Sequence, residues 1–160
     1  MWALATTRFT DETMAENKRW REKNSWEGCI YGTPKRIGDV IAPGKILMVL
    51  EMNNSRNIIE GIGLVKNVII ADKHYKIYSD GNYNRYTYKS KYRIDVSELS
   101  EQEKKIVAIF HVLLFKCIRH VKRQQGITKM PDWIVKSKVF DFTAFFKELF
   151  EKKYPNIGGI

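Results

Sequence analysis

The chain has 160 residues, of which 44% are hydrophobic and 29% are charged. This length suits one domain with its own core, and the composition excludes a disordered chain, which would contain fewer aromatic and branched side chains. Its 28 Lys and Arg residues outnumber its 18 Asp and Glu residues, which gives a formal charge of +10. Such an excess favours a polyanionic partner, and we expect RNA or DNA, although solubility alone would also explain it.

The two cysteines, Cys29 and Cys117, lie too far apart in the sequence to form a CxxC zinc motif or a disulfide framework. We therefore expect no metal, no cofactor and an intracellular, reducing compartment such as the cytoplasm or nucleus. The first residues are apolar for too short a stretch to form a signal sequence. The longest apolar run, residues 106–118, is shorter than the ~20 residues that a membrane span needs, so no membrane partner is expected.

The N-terminal part of the chain predicts a strand, a helix and an aromatic loop. Residues 2–7 form a short apolar run that predicts a buried strand. Thr10 is predicted to cap a helix that extends to about Lys23, because acidic residues follow it in the first turn. Residues 26–34 are rich in aromatic and glycine residues and predict a loop.

The middle of the chain predicts two buried strands followed by a basic, tyrosine-rich strand pair. Residues 45–52 and 58–65 are apolar runs joined by turn formers at 53–55, and a further strand is predicted at 67–70. Glycines in the second run indicate a strand that bends, as in a barrel, or that another backbone approaches closely. Between residues 73 and 93, tyrosines alternate with basic residues, which predicts a strand pair with one wet, basic face.

The C-terminal part predicts two helices. The first is capped at 97–100, buries one side as far as Cys117 and ends in basic residues. His111 lies on its apolar side, where a core histidine with a satisfied hydrogen bond is expected. The second helix, 141–153, is amphipathic and is predicted to pack on the rest of a single domain covering residues 1–160. No repeat or linker divides the chain.

Three motifs stand out within this order of elements. They are WALATT at residues 2–7, WEGCIYGT at 26–33, and the pair ILMVLE at 46–51 with EGIGLV at 60–65. With the element order, they give a pattern that resembles the PUA-like superfamily, in particular its EVE, YTH and ASCH types. The resemblance covers most of residues 1–130. It implies an α+β fold in which a mixed β-barrel of about five or six strands is flanked by helices.

In such domains, a pocket at the mouth of the barrel holds a modified base, flipped out or single-stranded, between aromatic side chains. The residues that the resemblance assigns to this pocket are Thr6, Thr7, Trp26, Tyr31, Gly32 and Thr33. The amides of Asn53 and Asn54 are further candidates, because a base edge needs donors and acceptors. A YTH cage places another tryptophan in this hairpin, and its absence argues against methyl-adenine as the ligand. The aromatic residues would also suit a core.

Basic residues form three predicted phosphate-binding groups: beside the aromatic loop, among the tyrosines, and around the end of the long helix. They are Lys35 and Arg36; Arg85, Lys89, Lys91 and Arg93; and Lys116, Arg119, Lys122, Arg123 and Lys129. Tyrosines between cations suit single-stranded nucleic acid, whose bases stack while its phosphates bind cations. A charge run also commonly forms a merely solvated surface, and the sequence leaves that alternative open.

The sequence shows no catalytic triad, phosphate-binding loop or HExxH motif, and we expect no enzyme. Asp39 and Glu51 are conceivable acids of a metal-dependent nuclease, but Asn53 stands where such a site needs a lysine. We therefore expect a nucleic-acid-binding domain that reads a modified or flipped base. The alternative is a structural or interaction subunit of a viral or nucleoprotein assembly, with the tyrosine-rich strands and the last helix as protein contacts.

Overall fold

The computed structural model describes residues 1–157 and has an α+β fold, as predicted. Within these residues there are seven strands and four α-helices. The strands are β1 (Ala3–Phe9), β2 (Cys29–Thr33), β3 (Ile46–Asn53), β4 (Ile58–Lys66), β5 (Tyr86–Ser90), β6 (Arg93–Asp95) and β7 (Thr128–Lys129). The helices are α1 (Asp11–Lys23), α2 (Glu101–Leu113), α3 (Asp132–Val135) and α4 (Phe142–Lys153), and short 3₁₀ helices cover Gly81–Asn84 and Val96–Glu98.

The helices begin where the sequence predicts capping residues. Thr10 caps α1, since its hydroxyl accepts a hydrogen bond from the Thr13 amide and the Thr13 hydroxyl accepts one from the Thr10 amide. Ser100 and Glu103 form the same reciprocal arrangement at the start of α2. Asp141 caps α4 through the Ala144 amide. Each cap satisfies amide groups that have no partner inside the helix.

The strands form two sheets. The larger sheet has the order β6-β4-β3-β1-β7, in which β1 and β3 are parallel and the other pairs are antiparallel. The β1–β3 register places Thr7 beside Glu51. Strands β2 and β5 form a separate antiparallel pair. Within residues 1–157, hydrogen bonds do not close these strands into a barrel.

The larger sheet is covered on both faces. Helices α2 and α4 pack on one face, where the core is built from side chains such as Met48, Leu50 and Phe146. The β2–β5 sheet and α1 cover the other face. The core between them includes Val49 of β3 and Tyr31 of β2. This arrangement places the predicted last helix on the domain, as the amphipathic pattern indicated.

Two glycines of β4 allow the covering elements to approach the sheet. A Cβ atom at Gly63 would overlap the Tyr31 hydroxyl, and one at Gly61 would lie 2.5 Å from the Arg93 guanidinium. Any side chain at either position would therefore displace a buried polar group. The sequence predicted the approach of another backbone here, but the groups that approach these glycines are side chains.

The structure differs from the predicted elements in four places. Residues 26–34, predicted as a loop, contain strand β2. Residues 67–70 form no strand, and the tyrosine-rich region contains β5 but no strand across 73–78. Helix α2 ends at Leu113 instead of continuing to Cys117. Leu114 and Phe115, which follow the helix, are both buried in the core. The basic residues that follow lie in an irregular segment.

None of the helices within residues 1–157 combines the length and the apolar character needed to cross a bilayer. Both cysteines are free thiols. Burial raises the pKa of Cys29 to about 11, so its thiol stays protonated and packs as a small apolar side chain. The predicted packing role of Cys29 is confirmed.

Candidate functional site

A cleft of about 420 Å³ opens where the parallel strands β1 and β3 end. Its walls come from six parts of the chain: the end of β1, the first turns of α1, β2, the turn after β3, and the segments around residues 78–83 and 122–126. The lining residues are Thr7, Arg8, Phe9, Thr10, Glu12, Thr13, Glu16, Tyr31, Gly32, Asn54, Tyr78, Ser79, Asp80, Tyr83, Lys122, Gln124, Gln125 and Gly126. This volume lies within the roughly 300–1,000 Å³ typical of small-molecule sites.

Aromatic rings line one side of the cleft. Tyr31 and Phe9 lie side by side with ring centroids 6.4 Å apart, and both rings are mostly buried. Tyr78 is buried as well, and Tyr83 meets it edge-on at 6.4 Å. Tyr83 is the ring most open to solvent in this group, with 38% of its surface exposed. A planar ligand could therefore stack on Tyr83 without displacing the core.

A buried ion pair lies beneath Tyr31. The Arg93 guanidinium donates to both oxygens of Glu51, from Nη2 to Oε1 at 2.6 Å and from Nε to Oε2 at 3.0 Å. Tyr31 also donates its hydroxyl hydrogen to Glu51 Oε2 at 2.7 Å. Burial alone would lower the pKa of Arg93, but Glu51 and the other acceptors raise it, so the guanidinium stays charged. Burial and the Glu51 charge raise the pKa of Tyr31, which stays protonated.

A second buried network fixes Tyr78. The Asn17 side chain donates to the Ile30 carbonyl at 2.7 Å and to the Tyr78 hydroxyl at 3.0 Å. Arg21 in turn donates to the Asn17 side-chain oxygen at 2.8 Å. The backbone amide of Tyr78 donates to the Asn84 side-chain oxygen at 2.9 Å. These contacts hold the ring in one position, which is a requirement for a preorganised site.

The cleft itself is not strongly basic. Glu12, Glu16 and Asp80 line it, and Glu16 accepts a hydrogen bond from the Ser79 amide at 2.6 Å. Lys122 supplies a cation on the opposite wall. Arg8 also lines the cleft, so three carboxylates and two cations share its lining, which is less basic than the protein as a whole with its net charge of +10.

Four of the predicted pocket residues line the cleft, namely Thr7, Tyr31, Gly32 and Asn54. Thr6, Thr33 and Asn53 do not, because each is buried behind it and bonded to the fold. Thr6 bonds to Thr128 and Arg8, and Thr33 donates to the carbonyl of Lys35. Asn53 holds the β3–β4 turn, since its side chain accepts from the Ser55 amide and donates to Asp11.

Trp26 also lies outside the cleft. Its indole nitrogen donates to the Cys29 carbonyl at 3.1 Å, and the Lys89 ammonium lies 4.5 Å from the centre of its ring. Lys89 also lies 4.9 Å from the ring centre of Tyr75 and donates to its hydroxyl. The prediction that Trp26 walls the base pocket together with Tyr31 is therefore corrected: Trp26 belongs to a cation–aromatic cluster elsewhere.

The predicted phosphate-binding residues are mostly at the surface, with one exception. Arg93 is only 5% exposed and is bound to Glu51 and Asp95, so its predicted role as a surface cation is wrong. The residues that are exposed are Lys35, Arg36, Arg85, Lys91, Lys116, Arg119, Arg123 and Lys129, while Lys89 and Lys122 are half-buried. A guanidinium satisfied by a buried carboxylate has no free donor for a phosphate.

Some of these cations already have partners. Lys129 forms an ion pair with Asp132 at 3.2 Å, so the basic segment is not free of acids in space. Arg119 lies over the ring of Trp133 at 5.6 Å. Arg36 and Arg85 lie over the ring of Tyr86, at 5.3 and 5.5 Å. Cations held on aromatic rings at the surface remain able to meet a phosphate.

Most of the far wall of the cleft is not predictable from the sequence. Arg8, Tyr78 and Tyr83 are absent from the predicted pocket, because local patterns do not show contacts between β1, the 78–83 region and the 122–126 segment. The sequence did contain one signal for the buried ion pair beneath Tyr31. Glu51 is a lone acid in a buried apolar strand, and such a charge needs a buried partner.

The candidate nuclease acids do not form a site. Both oxygens of Glu51 are taken by Arg93, whereas Asp39 is exposed on a loop. Within residues 1–157, no group of three or more His, Cys, Asp and Glu side chains is placed to hold a metal ion.

Comparisons of the chain with protein-family models, with curated proteins and with solved structures find no match. The function is therefore inferred from the contacts of the cleft and from the charges around it.

Proposed function

We propose that this protein binds nucleic acid, with one unpaired base, natural or modified, in the cleft and the phosphate backbone on the surrounding cations. The observation that carries the proposal is the cleft itself, which combines the exposed ring of Tyr83, backed by the buried rings of Tyr31 and Tyr78, with the hydroxyl of Thr7 and the exposed side chains of Gln124 and Gln125. A base needs an aromatic face for stacking and polar groups at its edge. The cleft supplies both within one cavity.

The division of charge supports the same proposal. Glu12, Glu16 and Asp80 line the cleft together with the cations Arg8 and Lys122, and Arg123 is exposed next to Lys122. A phosphate is attracted to these cations, whereas the amino group of a base is attracted to the carboxylates. A nucleotide therefore fits with its base inside and its phosphates along residues 122–126.

The fold proposal is a PUA-like domain, and its support is the arrangement of strands around the cleft. Parallel pairing of β1 with β3 and the packing of the β2–β5 sheet over β4 bring together the three motifs that carry the resemblance. An experimental structure would test the closure of these strands into a barrel.

A salt series tests nucleic-acid binding. We expect the affinity for single-stranded oligonucleotides to fall steeply as salt rises, with a logarithmic slope of about −0.7 for each phosphate contact. Replacing Arg119, Lys122 and Arg123 together by glutamine should weaken binding to all sequences and flatten this slope. No measurable binding of the wild-type protein at low salt would overturn the proposal.

Matched aromatic variants test the cleft. Tyr83→Ala removes the exposed ring and should weaken single-strand binding by about tenfold, because one stacked base contributes roughly 1–3 kcal/mol. Binding to plain duplex should change much less. Trp26→Ala is the control, since Trp26 is an aromatic residue outside the cleft. If Tyr83→Ala and Trp26→Ala weakened single-strand binding equally, or if Tyr83→Ala weakened single-strand and duplex binding equally, the cleft would not be the base-binding site.

A structural or interaction subunit is the second candidate. Its support is a group of exposed apolar side chains near the ends of α2 and α3, including Ile118 at 99% and Val139 at 94% exposure. The surfaces that the sequence predicts for this role are largely inside the protein: Phe146 and Phe150 of α4 and Tyr88 of β5 are buried. The salt series separates the two candidates, because protein contacts through apolar groups would not weaken with salt.

A further inference from the structure

Arg8 connects the end of β1 to a distant part of the chain. Its guanidinium donates to the carbonyls of Val121 at 3.0 Å and Gly126 at 2.8 Å, and to the hydroxyl of Thr128 at 2.9 Å. These acceptors are 113 to 120 residues away in the sequence. It also donates to the backbone and side-chain oxygens of Thr6. One side chain thus bridges β1 and the segment that forms the far wall of the cleft.

The charge of Arg8 has no anionic partner within residues 1–157. None of the ion pairs formed by these residues includes Arg8, and its acceptors are neutral oxygens. Burial lowers the pKa of Arg8 to about 10, so the guanidinium is still charged at neutral pH. Its Nε atom is buried without a hydrogen-bond partner. A buried cation is costly, and its position is therefore well determined by the oxygens that surround it.

The wall that Arg8 contacts is anchored at its two ends by the buried side chains of Val121 and Ile127, and few hydrogen bonds hold the residues between them. Between Val121 and Gly126 the backbone is irregular, and Gly126 adopts a left-handed conformation with φ of 74°. Asn54 donates to the Lys122 carbonyl at 2.9 Å, and the Val121 amide donates to Leu114 at 3.0 Å. The side chains of Arg123, Gln124 and Gln125 are exposed. Arg8 therefore supplies a large share of the hydrogen bonds that order this segment.

We propose that Arg8 is a positioning residue whose guanidinium holds residues 121–126 as the far wall of the cleft and so sets where Lys122 and Arg123 lie. Its role in holding the wall depends on geometry alone. Its consequence for binding rests on the proposed function, because it concerns the phosphate contacts of Lys122 and Arg123.

Hydrogen exchange tests the positioning role without any ligand. Arg8→Lys keeps the charge and most of the stem but loses the fork of donors. We expect exchange across residues 121–128 to become at least about tenfold faster, while α4 keeps its protection. Arg56→Lys is the matched control, because Arg56 is exposed and pairs only with Asp11. Unchanged exchange across 121–128 in folded Arg8→Lys would overturn the proposal.

A second variant keeps the test decisive if Arg8→Lys fails to fold. Thr128→Val removes one acceptor of the guanidinium and should raise exchange in the same segment by a smaller factor. If exchange there stays at the wild-type rate, the positioning role is overturned.

Binding separates this inference from the proposed function. Arg8→Lys should weaken single-strand binding by about tenfold and reduce the salt slope by about 0.7 for each phosphate that Lys122 and Arg123 no longer reach. An unchanged slope would overturn the link between Arg8 and phosphate binding. If the wild-type protein binds no oligonucleotide, the proposed function fails, and the exchange measurement still decides whether Arg8 holds the wall.

Discussion

The two faces of the larger sheet are stabilised in different ways. The face under α2 and α4 buries uncharged side chains such as Leu50, Phe110 and Phe146. The opposite face, beneath the cleft, buries the Glu51–Arg93 ion pair and the Tyr31 hydroxyl. Apolar burial is not directional and tolerates exchange between similar side chains, whereas a buried ion pair depends on each partner.

This difference determines on which face a substitution should change both the stability of the fold and the geometry of the cleft. On the helical face, apolar packing supplies most of the support, and the hydrogen bond between the Ile59 amide and His111 is a polar contact there. On the cleft face, Glu51 holds Arg93 and Tyr31 together, and the Tyr31 ring is thereby fixed at the cleft. The cleft face is therefore where small chemical changes should alter both stability and binding geometry.

The largest effects are expected from removing a charge on the cleft face and an aromatic ring on the helical face. Glu51→Met should lower the free energy of unfolding by about 3–5 kcal/mol, because Arg93 is left buried without its partner. The double variant Glu51→Met, Arg93→Met should recover much of that loss. Phe146→Ala should cost about 3–5 kcal/mol, mainly through the cavity it leaves. Urea unfolding measures all three, and a double variant no more stable than Glu51→Met alone would show that the ion pair is not the reason for the loss.

A smaller effect is expected from one hydroxyl. Tyr31→Phe keeps the ring but removes a donor to the Glu51 carboxylate, which should cost about 1.5–3 kcal/mol. Single-strand affinity should stay within about twofold, since the aromatic face remains. Tyr154→Phe, whose hydroxyl bonds only to backbone groups of Arg93, is the control and should cost less. Urea unfolding and oligonucleotide titration check the two expectations; a Tyr31→Phe loss no larger than the control would contradict the first.

A pH effect should appear on the helical face. The backbone amide of Ile59 donates to Nε2 of His111 at 3.2 Å, so this nitrogen must be unprotonated. Burial, and then the charge of Lys116, lower the pKa of His111. The contribution of this hydrogen bond to stability is thus fully present above the unfolded pKa of about 6.5 and is lost as the pH falls from there through the lower pKa of the folded state, which should cost about 1 kcal/mol or less.

Unfolding measured from pH 7.5 to 5 checks this. His111→Gln should flatten the pH dependence, while His74→Gln, at an exposed position, should leave it unchanged. Equal pH dependence in both variants would assign the effect to another group.

The smallest expected effect concerns the cation–aromatic cluster. Lys89→Met removes an ammonium placed over the Trp26 and Tyr75 rings and should cost about 0.5–1 kcal/mol of stability. Lys91→Met, next to it but exposed, should leave stability unchanged and lower oligonucleotide affinity. If Lys89→Met instead left the free energy of unfolding unchanged and lowered oligonucleotide affinity, Lys89 would be a surface cation like Lys91.

Local patterns predicted much of the fold but only part of the site. The caps at Thr10 and Ser100 and the strand pair β3–β4 were visible because their signals lie within a few neighbouring residues. The end of α2 was predicted too late, since its apolar pattern continues while the chain turns into the core. Half of the predicted pocket residues line the cleft. Thr7 and Asn54 lie at strand ends that were predicted to within two residues, whereas Tyr31 and Gly32 lie in β2, which was predicted as a loop.

The rest of the site depends on contacts between distant residues. Glu51 and Arg93 are 42 residues apart, and the basic and polar neighbours of Arg93 favour a surface position for it. The wall at 122–126 depends on Arg8, more than a hundred residues earlier. The periodicity of a single segment cannot reveal contacts between residues so far apart in the sequence. These contacts depend on how several strands are arranged in the fold.

Strand β1 is an inner strand only because β7, two residues long, covers its outer edge. During synthesis on the ribosome, that edge stays open until residues near 129 have emerged, long after β1 could pair with β3. Pairings of such sequence separation form slowly, and an open strand edge can pair with other chains in the meantime. The nascent chain should therefore be most prone to aggregation, and most in need of chaperones, just before the cleft wall is made.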